Sequence, residues 1–147
     1  MTLKETLSAA MTDAMKARDE TRKVPLRLVM AAIKEAEIES QAELKDEDVL
    51  RLIQKEVKSR TESIADAEKA GREDLVATAQ AEMAVLQEYL PAALSSEELE
   101  GIVKETIAEV GASSMGDMGK VMQAVMPKVQ GKAEGGQVNQ LVRKLLG

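Results

Sequence analysis

The sequence has no cysteine, no histidine, no tryptophan and no phenylalanine; Tyr89 is its one aromatic residue. Without cysteine, neither a disulfide nor a thiolate nucleophile is available. Without histidine, the commonest general base and metal ligand is missing, and with it the Glu-x-x-His pairs of a dinuclear site in a helical bundle. The aromatic platforms on which single-stranded bases stack are absent too, so any nucleic-acid contact must run through phosphates and shape. No apolar run reaches the ~18 residues of a membrane span. The N-terminus MTLKETLSAAMTDAMK shows neither the basic start nor the apolar centre of a signal peptide. A cytoplasmic location, with no membrane partner, is the expectation.

What remains is 147 residues, 44% hydrophobic and 31% charged, with a net charge of -6. This is a globular composition, large enough for one domain or two small ones. The 26 acidic residues fall at many helical spacings, as solvated helix faces do, and call for no metal. Gly111 and Gly116 have the spacing of a phosphate loop, but Asp117 and Met118 stand where Lys and Ser or Thr are required. Gly119 and Lys120 are followed by Val121, which cannot ligate magnesium. No cofactor is expected.

The apolar residues repeat at three and four throughout, which predicts an all-α chain. Thr2 with Glu5 forms a capping box ahead of the stripe Leu3, Leu7, Ala10, Met11, Ala14 and Met15. A second helix is expected to start at Pro25, and Leu28 to Ile33 suits a helix buried on several sides. Asp46 is placed as the cap of a third helix of about 24 residues, ended by Gly71. Its seam is Leu50, Ile53, Val57, Ile64 and Ala67, with Arg60 paired to Glu56 or to a neighbouring helix. A fourth helix lies on Leu75, Ala79, Met83, Leu86 and Leu90, stopped by Pro91.

PAALSS then marks a boundary, giving a four-helix domain over 1–91 and a three-helix tail domain over 95–147. In the tail, Ser95 and Glu98 make a second capping box for the face Leu99, Ile102, Val103, Thr106 and Val110. Ser114 is placed as the cap of a sixth helix on Met118, Val121, Met122, Val125 and Val129, which Pro127 should kink or split. A seventh lies on Val138, Leu141, Val142 and Leu145. The nine methionines fill a core short of aromatics, or line an adaptable groove for a partner.

The final stretch, MPKVQGKAEGGQVNQLVRKLL, sets four cations against Glu134 alone, a sum of +3. Counted from Met118 the sum is +4, so residues 1–117 carry -10. Such polarity presents one pole to polyanions.

Four stretches carry a resemblance to a known family: LRLVMAAIKEAEIE, KAGREDLVATAQAEMAVLQEYLP, GASSMGDMGKVM and the final stretch just quoted. Together they resemble the YqeY family over nearly the whole chain. The last two are similar to the tail domain of the GatB subunit of the glutamine-dependent amidotransferase, which converts misacylated Glu-tRNA(Gln) or Asp-tRNA(Asn). The resemblance implies a helical domain joined to a three-helix tail, and a tail that leans on tRNA. It also implies a carbon–nitrogen ligase association in translation, inherited through the shared tail and without the catalytic body; no catalytic residue is assigned. Two readings follow. The first is an accessory module that contacts tRNA, or a tRNA-handling enzyme, through Lys120, Lys128, Lys132, Arg143 and Lys144 on phosphates and Asn139 on sugar or base, with Gly131, Gly135 and Gly136 as the hinge of the turn. The second is a protein-interaction module that docks a translation enzyme through its methionine-rich tail.

Overall fold

A computed structural model describes all 147 residues, which form seven α-helices and no strand. The chain divides into two compact units, Met1–Leu90 and Pro91–Gly147.

In the first unit, α1 (Leu3–Ala17) opens on the Thr2/Glu5 capping box, with both bonds at 3.1 Å. It ends at Arg18, whose φ of 56° puts a non-glycine residue in the left-handed region. Asp19 then accepts from the Arg22 N–H and starts α2 (Glu20–Ser40), so this helix begins upstream of the expected Pro25. Pro25 sits inside it, where its missing N–H removes one ladder bond. Pro25, Leu26, Val29 and Ile33 are buried, and that burial offsets the lost bond. Burial on several sides does not hold for α2: Leu28 is 44% and Ile38 68% exposed.

Helix α3 (Asp46–Lys69) runs 24 residues and is followed by Gly71 at φ 68°. Asp46 is its first residue rather than its cap; Lys45 holds the cap position, and the Asp48 carboxylate accepts from the Lys45 N–H. Asp46 Oδ1 instead accepts from the Leu3 N–H at 3.0 Å, tying the start of α1 to the start of α3. The buried register of α3 runs through Val49 and Ile53, with Leu50 only half-buried. On α4 (Glu73–Gln87) the core residues are Val85 and Leu86, while Leu75, expected inside, is 48% exposed. Leu7, Ala14, Leu26, Val29, Ile33, Val49, Ile53, Val85 and Leu86 make up this core. Each of its fully buried aliphatic side chains contributes about 1.5–3 kcal/mol. Arg60 pairs with both Glu56 (2.9 Å) and Glu82 (3.0 Å), bridging α3 and α4.

In the second unit, α5 (Ser96–Val110) opens on the Ser95/Glu98 capping box and closes on Gly111 at φ 67°. A single 3-10 turn, Met115–Asp117, precedes α6 (Met118–Val129). Ser114 makes no side-chain cap; Asp117 takes that position and its carboxylate accepts from the Ser113 N–H. Pro127 does not split α6, because it lies in the last turn, where only one ladder bond depends on its nitrogen. Helix α7 (Gly135–Leu146) completes the unit. Leu99, Val103, Val121, Val125, Val129, Val138 and Val142 form the core, and Met118, Met122 and Met126 pack against it.

Candidate nucleic-acid interface

Helices α6 and α7 form a hairpin whose inner faces are held by Val121, Val125, Val129, Val138 and Val142. That leaves polar residues for the outside. Lys120, Lys132, Arg143 and Lys144 are all exposed, and none of them makes an ion pair within the chain. Asn139 is half-buried, one turn before Arg143 on the same side of α7.

Lys128 differs from the other four cations. Its Nζ donates to Glu109 Oε2 at 2.7 Å and to Thr106 Oγ1 at 3.0 Å, so α6 is fastened to α5. The Thr106 side chain is fully buried, and its hydroxyl itself donates to the Ile102 carbonyl at 2.7 Å. Lys128 therefore spends its charge inside the unit. Nothing in the sequence points to this, since Glu109 lies 19 residues away.

The turn between the helices is built rather than hinged. Of its glycines, Gly131 alone adopts the left-handed backbone, at φ 75°. The Lys132 and Ala133 N–H groups both donate to the Val129 carbonyl, and the Lys132 carbonyl accepts from the Leu94 N–H at 3.1 Å. Gly135 and Gly136 are the first two residues of α7, exposed and without a side-chain cap from Glu134. Their bare N–H groups and the helix dipole add positive potential beside Lys132. Antiparallel pairing across so short a turn sets Lys120 level with Arg143 and Lys144. The cations thus mark both ends of a hairpin whose 12-residue helices are each about 18 Å long, rather than gathering at the turn.

Elsewhere, no group of three or more acidic side chains is placed to hold a metal ion, and no helix is long and apolar enough to cross a membrane.

Comparison with known proteins follows the same lines. The family model described as Yqey-like protein matches residues 4–146. "Altered inheritance of mitochondria protein 41, mitochondrial" of Pyrenophora tritici-repentis is 33% identical over 132 residues, covering 86% of this chain and 71% of that protein. The protein of the same name in Eremothecium gossypii is 42% identical over 89 residues, 58% of this chain and 49% of its own length. The chain thus spans between half and about seven-tenths of these relatives. Their names place them in mitochondria and give the cytoplasmic expectation no support. A glutamyl-tRNA(Gln) amidotransferase component of Thermococcus sibiricus is 52% identical over 46 residues, 31% of this chain and 7% of that protein. Matched from the first turn of α1 to its penultimate residue, the chain belongs to the YqeY family.

Proposed function

We propose that the chain is an accessory module for tRNA or for a tRNA amidotransferase, made of a four-helix domain and a three-helix tail, with the tail contacting tRNA phosphates. The observation that carries this reading is the set of exposed, unpaired cations Lys120, Lys132, Arg143 and Lys144 on an otherwise acidic chain. The similarity to a protein named for glutamyl-tRNA(Gln) supports the choice of polyanion. Phosphate contacts set position and carry no sequence information, so binding should be weak and should not depend on the anticodon. Lys128 joins the contact only where a phosphate displaces Glu109. Amide transfer is not part of the proposed role, because these 147 residues offer neither a Cys nucleophile nor a His base for it. A docking role for the methionine-rich segment would rest on Met115, 44% exposed, since Met118, Met122 and Met126 pack within the unit.

The test is titration of a folded tRNA transcript into the full chain at low salt, followed by fluorescence anisotropy. Saturable binding that a single-stranded oligonucleotide of equal length competes poorly is expected. No binding at any protein concentration up to the millimolar range would remove the tRNA reading.

A further inference from the structure

A groove of about 480 Å³ runs between α1 and α2 in the first unit, which holds none of the cations assigned above. Its floor is Met11, Met30, Ala31 and Ile33, and its rim carries Lys4, Arg27, Lys34 and Glu37. The Lys4 ammonium is spent on Glu37 at 2.7 Å, which itself also accepts from the Leu44 N–H. Arg27 and Lys34 are exposed and make no ion pair. They stand seven residues apart on one side of α2, about 10 Å along the helix.

The apolar floor continues past both ends of the groove. Met15, 53% exposed, follows Met11 by four residues on α1, and Ile38, 68% exposed, follows Lys34 by four on α2. Leu28, 44% exposed, borders Ala31. Half of the chain's exposed large apolar side chains therefore surround one groove that also holds two unsatisfied positive charges.

We propose that this groove receives an acidic amphipathic helix of a partner protein. A helix laid in the trough would press an i, i+3, i+4, i+7 apolar seam on Met11, Met15, Met30 and Ile38. Carboxylates seven residues apart on that helix would meet Arg27 and Lys34. Methionine suits such a floor because its unbranched, polarizable side chain repacks around different partners. The charge argues against the other anionic surfaces. The unit as a whole is acidic, so an anionic bilayer would be repelled beyond two local cations, and a concave trough offers a flat membrane little contact. RNA would gain nothing from an apolar floor that has no ring for a base to stack on. The similar-sized groove beside Arg60, between α3 and α4, is a poorer candidate because its cation already holds Glu56 and Glu82.

The test uses the full chain and a synthetic helical peptide of about four turns, with a leucine seam and flanking glutamates at seven-residue spacing, alongside its glutamate-to-lysine counterpart. The acidic peptide should bind and shift the amide resonances of α1 and α2, and the lysine peptide should not bind. The double variant Arg27→Glu/Lys34→Glu, at two exposed sites, should keep its helical spectrum. It should weaken the acidic peptide by at least about tenfold and gain affinity for the lysine peptide. Equal binding of the acidic peptide to the variant would overturn the proposal, as would shifts confined to α3 and α4. So would failure to bind the acidic peptide while anionic vesicles are bound, or while the chain self-associates through this face.

Discussion

Replacing Lys128 with alanine separates a structural cation from a ligand-binding one. In the fold its ammonium holds Glu109 and the hydroxyl of buried Thr106. The ion pair is half in water, with side-chain exposures of 37% and 52%, so screening keeps it to about 0.2–1 kcal/mol. The bond to Thr106 adds up to about 1 kcal/mol, moderated because that hydroxyl still donates to Ile102. Lys128→Ala should therefore cost about 1 kcal/mol in all, lowering a urea midpoint by roughly 0.5 M. Lys132→Ala removes a side chain with no ion-pair partner and should stay within about 0.5 kcal/mol of wild type. A double-mutant cycle with Glu109→Ala should show coupling of about 0.5 kcal/mol or more. In tRNA binding the order reverses: Lys132→Ala should lower the salt slope by about one unit, and Lys128→Ala by clearly less. If Lys128→Ala leaves the midpoint unchanged while lowering the slope by a full unit, Lys128 faces the ligand and the fastening to α5 is not what holds it.

Other perturbations follow from single features of the fold. Gly131→Ala forces a Cβ into the left-handed region and should cost about 1–2 kcal/mol, read by thermal melting. Leu26→Ala, at a fully buried site, should cost about 2–5 kcal/mol in urea, the range set by how far the core closes. The Lys4 ammonium, then the Leu44 N–H, hold the Glu37 carboxylate below its ordinary range. Its contribution is therefore present above the ordinary carboxylate value near 4.5 and is lost as pH falls through the depressed one. Glu37→Gln should flatten the acid side of the stability–pH curve, and an unchanged curve would place no weight on this pair.

The local signals are legible in the sequence, and many of the tertiary ones are not. The Thr2/Glu5 and Ser95/Glu98 boxes show because both partners lie within one turn. Gly71 and Gly111 show as helix stops because only glycine takes a positive φ without strain. The start of α2 is hidden because Arg18 takes the left-handed conformation with no glycine to advertise it. Asp46 has the chemistry of a cap, yet its actual partner is the Leu3 N–H, 43 residues away. The choice of Val49 over Leu50, and the exposure of Leu28 and Leu75, depends on which neighbours each helix meets, and periodicity alone does not fix that. The same limit applies to the candidate interface. The basic character of residues 118–147 is legible as charge, but Lys128 can be told from Lys132 only once Glu109 is in place.

The most direct measurement is the salt dependence of tRNA binding by the intact chain, compared with a variant carrying alanine at Lys120, Lys132, Arg143 and Lys144. Four neutralised phosphates give a slope of about -3 to -4 in log affinity against log salt, so affinity should fall roughly 100-fold between about 50 and 200 mM. The variant should fold normally and lose nearly all of that dependence. Binding that is absent at the lower salt, or a slope that the four substitutions leave unchanged, would show that these cations are solvated surface and that the tail does not hold tRNA by its phosphates.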